Sequence, residues 1–269
     1  MENREFIQKV KSEIREFPGK TAVLYREYPK GQPETVLDLL GDEPVISAST
    51  IKVPIMMALF SKVREEKGSL QEKILVKGEE ILPDSRVFEY GERMASLYEL
   101  AVWMIVNSDN TATNVLISYL GMERLNSYFQ KLGLRHTRLE RKMLDFQAVK
   151  EGKNNFISPA DFCRCMELLK SREKEDFYAA LALSILKRNR DPEALCRYLY
   201  EDVKAAHKTG GLDGIEHDAG FLEAGETFYF LGVFVSEFEG TEEKSREAQK
   251  LIGRISRIIF ESQKQRPEY

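Results

Sequence analysis

The sequence predicts an α/β (α+β) fold: one five-stranded antiparallel sheet flanked by the two terminal helices, with an all-helical lobe inserted into its middle. Three observations carry this. Strand signals occur only near the two ends, within 1–46 and 195–269, so strands distant in the chain must pair into one sheet. Between them, over 47–194, apolar residues recur at helical spacing. And 269 residues, 42% of them hydrophobic and 31% charged, are enough for a sizeable core without metal or disulfide staples.

The elements follow in order. Residues 3–16 form a helix, with Phe6, Ile7, Val10 and Ile14 on one stripe among charges. TAVLYREY (21–28) and ETVLDLL (34–40) are strands, joined by PKGQP with the Gly and Pro of a hairpin. Helical periodicity then runs through 50–66, 97–106, 110–119, 122–132 and 159–170. The loops 81–93 and 134–157 separate these helices; the second is long enough to suggest function rather than mere connection. Strand patterns return at VKAAHKTG (203–210), EHDAGFLE (216–223) and TFYFLGVFVSE (227–237), before an amphipathic helix over 241–263. A two-lobed arrangement of this kind leaves a cleft, the usual place for a small-molecule site.

Composition narrows the function. Forty Lys and Arg stand against 44 Asp and Glu, a net charge of −4, so nucleic acid and anionic membrane are not the expected partners. No run approaches 18 apolar residues, and the first twenty residues carry nine charges, which gives no secretory leader. As written the chain is expected in the cytoplasm, as a monomer acting on a small molecule; a trimmed leader would change the first of these. Cys163, Cys165 and Cys196 have no metal-ligand spacing, and His136, His207 and His217 form no metal motif. No metal and no cofactor are expected.

The chemistry lies in three short motifs. Ser49-Thr50-Ile51-Lys52 opens the helix VPIMMALF, which sets an amine about one turn from a hydroxyl. A serine nucleophile needs such a base, because an unaided alcohol stays protonated at neutral pH. SxxK recurs at Ser171/Lys174 and Ser184/Lys187, but only Ser49 heads an apolar helix out of a polar loop. Ser108-Asp109-Asn110 occurs once, between two helices, where a helix cap alone would explain it. Lys208-Thr209-Gly210 ends a late strand and is followed by Gly211, where a turn alone would explain it. The three together, in this order and context, form the SxxK, SDN and KTG set of serine enzymes that recognise penicillins.

The sequence thus resembles the class A β-lactamase family and its penicillin-binding relatives, over nearly the whole chain. The resemblance implies a β-lactamase/transpeptidase-like fold and a serine hydrolase that opens a β-lactam amide. Ser49 would be the acylated nucleophile and Lys52 its proton partner. Ser108 would pass a proton to the departing nitrogen, and Asn110 would hold the substrate side-chain amide. Lys208 and Thr209 would seat a carboxylate, Lys208 also holding down the pKa of Lys52. The N–H groups of Ser49 and Gly211 would make the oxyanion hole, and Gly210 would leave room beside the ligand. Asp218 falls where the family has an aspartate.

Two departures stand out. The Ω-loop glutamate that activates the deacylating water aligns with Met143, and the nearest carboxylates are Glu140 and Asp145. A thioether takes no proton from water, so hydrolysis of the acyl-enzyme is expected to be slow unless one of these carboxylates substitutes. Glu216 and His217 stand near the place of a carboxylate-binding arginine, so an anionic substrate meets less positive charge there. Two alternatives remain open: a related amidase, esterase or peptidase, and a penicillin-binding sensor that stays acylated. Loop 81–93, with Asp84, Ser85, Arg86 and Tyr90, borders the cleft in this reading without an assigned role.

Overall fold

The computed structural model describes residues 3–189, 191–200, 203–224 and 227–264. Helix α1 (Asn3–Glu16) leads into β1 (Lys20–Glu27) and β2 (Glu34–Leu39). Then come β3 (Val45–Ile46), α2 (Lys52–Glu65), β4 (Lys73–Val76), β5 (Arg93–Ser96), α3 (Leu97–Val106), α4 (Asn110–Leu120) and α5 (Met122–Lys131). After α6 (Phe146–Lys150) and β6 (Phe156–Ile157), α7 (Pro159–Arg172) and α8 (Phe177–Leu186) lead back to the sheet. Strands β7 (Lys204–Leu212), β8 (Ile215–Ala224) and β9 (Thr227–Ser236) precede α9 (Glu242–Lys264).

The main sheet has five strands in the order β2-β1-β9-β8-β7, every neighbouring pair antiparallel. The early strand β1 sits beside the late strand β9, with Lys20 opposite Ser236 and Glu27 opposite Tyr229. Alternation at period two sends side chains to opposite faces. Val23, Tyr25, Leu231, Val233 and Val235 pack beneath α1 and α9, against Val10, Leu251, Ile255 and Ile259. Ala22, Leu24, Ala219, Phe230 and Phe234 face the other way and join one continuous core with α2, α3, α4, α7 and α8. The sheet is therefore covered on both sides, and β7, its edge strand, is left lying against the turn over Ala48–Ile51 that leads into α2.

Within the helical segment α2 is buried nearly all round from Lys52 to Ser61, as a central helix must be. Side-chain caps fix the others: Ser96 with Glu99 forms a capping box for α3, Asp109 caps α4, and Ser158 caps α7 with Pro159 at its first position.

The structure adds features that periodicity does not register. The short strands β3 and β6 pair with each other, as do β4 and β5. The helix expected from residue 50 begins instead as a 3-10 turn over Ala48–Ile51. Loop 134–157 encloses the single-turn helix α6 and is pinched at its base by a bridge between Arg138 and Phe156. Among the described residues no helix is long and apolar enough to cross a membrane.

Candidate active site

The 3-10 turn decides where Ser49 and Lys52 lie. At three residues per turn, side chains three apart eclipse, and Lys52 N–H donates to the Ser49 carbonyl. Ala48, just before the serine, holds a left-handed φ of 44°, a conformation that a non-glycine residue keeps only when its surroundings impose it. Edge strand β7 closes on this turn through Gly210. A Cβ there would lie 3.0 Å from Ser49 N and 3.2 Å from both Ala48 Cβ and Thr50 Cγ2. The sequence reading gave Gly210 room for a ligand; what actually presses on it is the backbone of the Ser49 turn.

Lys52 is wholly buried. Its Nζ donates to the Ser108 carbonyl at 2.7 Å, to Ser108 Oγ at 3.2 Å and to Asn110 Oδ1 at 2.8 Å. The amine expected beside Ser49 thus makes these bonds to the Ser108-Asp109-Asn110 segment. Lys208, 1% exposed, reaches the same hydroxyl from the sheet side, with Nζ 3.2 Å from Ser108 Oγ and 2.9 Å from the Thr209 carbonyl. Ser108 holds a φ of 53°, and Asp109 locks the segment by capping α4 and accepting a hydrogen bond from Ser85 Oγ. Burial lowers the Lys52 pKa well below the usual lysine value, and the nearby Lys208 charge lowers it further, against Asp109 and Asp84. Burial also pulls Lys208 down to about 8, while Asp218 and Asp191 hold it up.

Ser49 opens onto a cavity shared with Asn110, Arg141, Met143, Phe146 and Gly211. No carboxylate among the described residues lines it. Met143 is fixed there by Asn114, whose Oδ1 accepts from Met143 N–H at 2.7 Å and whose Nδ2 donates to its carbonyl at 3.1 Å. Leu144 beyond it has a φ of 58°. The candidate replacements point elsewhere. Glu140 accepts from Arg138 Nε at 2.8 Å and Asn154 N–H at 3.0 Å, and Asp145 is exposed, capping α6 at Ala148 N–H. The sequence reading missed Asn114, Arg141 and Phe146. Asn114 was the accessible one, since it lies four residues after Asn110 on one helix face.

On the strand side, Glu216 is paired with Gly211, and a Cβ on that glycine would stand 3.3 Å from both carboxyl oxygens. Burial raises the Glu216 pKa to about 7, opposed by hydrogen bonds from Gln249 and Ser245 of α9. His217 donates from Nε2 to the Ile46 carbonyl at 2.9 Å, and burial lowers its pKa to about 4, so it adds no charge at neutral pH. Asp218 is fully buried, bound to His207 Nδ1 at 2.8 Å and to Leu195 N–H at 3.0 Å, where it braces β7. Among the described residues no group of three or more His, Cys, Asp or Glu is placed to hold a metal ion.

Residues 4–263 match the model of the Beta-lactamase enzyme family. The chain belongs to that family. A β-lactamase from Bacteroides uniformis is 24% identical over 239 residues, covering 80% of this chain and 77% of that protein. The family fold recurs in PBP-A, 26% identical with a TM-score of 0.84 over 97% of this chain and 96% of the other. A leucine-to-glutamate variant of PBP-A, solved as an acyl-enzyme complex with penicillin G, superposes equally well, at a TM-score of 0.85 and 26% identity over 98% and 97% of the two chains.

Proposed function

We propose that this β-lactamase family member is a serine hydrolase that opens a β-lactam amide through an acyl-enzyme on Ser49 and releases the product slowly. The observation that carries the reading is Ser108 Oγ, held 3.2 Å from both Lys52 Nζ and Lys208 Nζ beside the cavity that Ser49 lines. Lys52, its pKa lowered by burial and by the Lys208 charge, is the amine that takes the Ser49 proton once it is deprotonated. The Ser49 oxygen bonds to the carbonyl carbon, and the N–H groups of Ser49 and Gly211 stabilise the oxyanion. The amide C–N bond then breaks; Ser108 gives its proton to the leaving nitrogen and is reprotonated from the Lys52 ammonium. Lys208 and Thr209 hold the substrate carboxylate, and Asn110 its side-chain amide.

Deacylation requires water to lose a proton as it attacks the ester. The cavity offers a thioether where a base is required, since Met143 lines it and Glu140 and Asp145 are bonded elsewhere. General base catalysis contributes ~100- to 10,000-fold, so its loss leaves a long-lived adduct. The same observation favours, as a second reading, a penicillin-binding protein that stays acylated.

Mixing the protein with benzylpenicillin and following intact mass together with ring-opened product tests both. An adduct of the penicillin mass on Ser49 with slow product release is expected, and Ser49→Ala should abolish it. Fast product formation with no accumulating adduct would place a base in the site after all. Neither adduct nor product would redirect the machinery to a different amide or ester.

A further inference from the structure

Asn110, which on the proposed reading holds the substrate side-chain amide, is spanned by an amine on one side and a carboxylate on the other. Its Oδ1 accepts from Lys52 Nζ at 2.8 Å, and its Nδ2 donates to Asp84 Oδ2 at 2.7 Å. The carboxylate fixes the amide orientation, since reversing it would face a carbonyl to a carboxylate. It also leaves one Nδ2 hydrogen for a ligand. Asp84 comes from the loop between β4 and β5, is solvent-exposed, and has the Asn110 amide as its hydrogen-bond partner among the described residues. Among the described residues no cation pairs with the Asp84 carboxylate, which stands beside the Asn110 amide, while Phe146, 64% exposed, lines the cavity that Asn110 also lines.

We infer that Asp84 is a specificity-determining residue, which selects acyl groups carrying a protonated amine next to the side-chain amide. This rests on the acyl-enzyme reading above. An ammonium on the carbon bonded to the amide carbonyl would sit against the Asp84 carboxylate, beside the Asn110 amide, and a phenyl group on that carbon would reach the Phe146 ring. Lys52 stays on the far side of Asn110, so its amine and the ligand ammonium do not meet across the amide.

The test compares ampicillin with benzylpenicillin, which differ only by that amine, in the full-length protein and in Asp84→Asn. Second-order rates of Ser49 labelling are read by intact mass at about pH 6.5, below the ~7.7–8.0 at which an α-amino group ionises. The wild type is expected to favour ampicillin about fivefold, the upper end for one solvent-facing ion pair, and the variant to bring the ratio close to one. Asp84 also supports the Lys52 charge, so the substitution alters acylation by both compounds; the ratio cancels that effect and isolates recognition of the amine. Equal rates in the wild type, or a preference that survives in Asp84→Asn, would overturn the assignment of Asp84 alone. No labelling by either compound would overturn the acyl-enzyme reading, and this inference with it.

Discussion

Two amines sharing one hydroxyl cannot both carry full charge without large repulsion in a buried site, and the structure divides the charge between them. Lys52 gives up its proton first, because burial and the Lys208 charge both oppose it; Lys208 keeps its proton up to about pH 8. Acylation should therefore rise with pH as Lys52 becomes a free base, then fall as Lys208 loses the charge that seats the carboxylate. A bell-shaped profile of the labelling rate, with its alkaline limb near pH 8, is expected in stopped-flow or quench measurements. A rate still rising well above pH 9 would remove Lys208 from that role. Ser108→Ala leaves Lys52 its bonds to Asn110 and to the backbone carbonyl at 108, so the fold should hold while the proton route is cut. Acylation should drop ~100- to 10,000-fold with Tm little changed, read by labelling kinetics and calorimetry.

At the scale of elements, the loop from 134 to 157 and strand β7 control the site from opposite sides. On the acyl-enzyme proposal, the loop would set the fate of the adduct. Met143→Glu would put a carboxylate on a backbone already fixed by Asn114 at the cavity wall, and should speed release of the penicilloyl group ~100-fold or more, measured as decay of the adduct mass. An unchanged decay would mean that the side chain at 143 does not meet the attacking water. Strand β7 packs against the Ser49 turn. Gly210→Ala would drive a methyl to 3.0 Å from Ser49 N, so the strand or the turn must shift, with an expected loss of about 1–3 kcal/mol and slower acylation. The long helices were legible in the sequence because burial on one side imposes a period, as in Leu251, Ile255 and Ile259, and β1 because burial on both faces leaves a continuous apolar run, Ala22-Val23-Leu24-Tyr25. Two-residue strands such as β3 and β6 are too short to show one, and the 3-10 turn at Ser49 differs from an α-helix by half a residue per turn. The motif residues were legible by their chemistry. Arg141 and Phe146 were not, because each owes its place to how a loop is folded and carries no pattern of its own; Asp84 was legible only as part of the loop 81–93 that borders the cleft, without a role.

For the whole molecule, the decisive fact is that one apolar core runs from the sheet face into the helical segment. Phe234 of β9 packs edge-on against Phe162 of α7, with ring centroids 6.3 Å apart. The two lobes should therefore unfold together. A single denaturant transition is expected, coincident by far-UV circular dichroism and by competence for Ser49 labelling, and Phe234→Ala should shift both midpoints by the same amount, equivalent to about 3–5 kcal/mol. Separate midpoints would show that the helical segment stands on its own.

The placement of β1 between β2 and β9 has a consequence for biosynthesis. The inner edge of β1 finds its partner only when Tyr229–Ser236 has been made, so a nascent polypeptide still on the ribosome carries Ala22, Val23 and Leu24 with one flank bare. Topologies closed by the last-made strand fold slowly and late. Prematurely terminated translation products of this gene would be expected to aggregate or to engage chaperones.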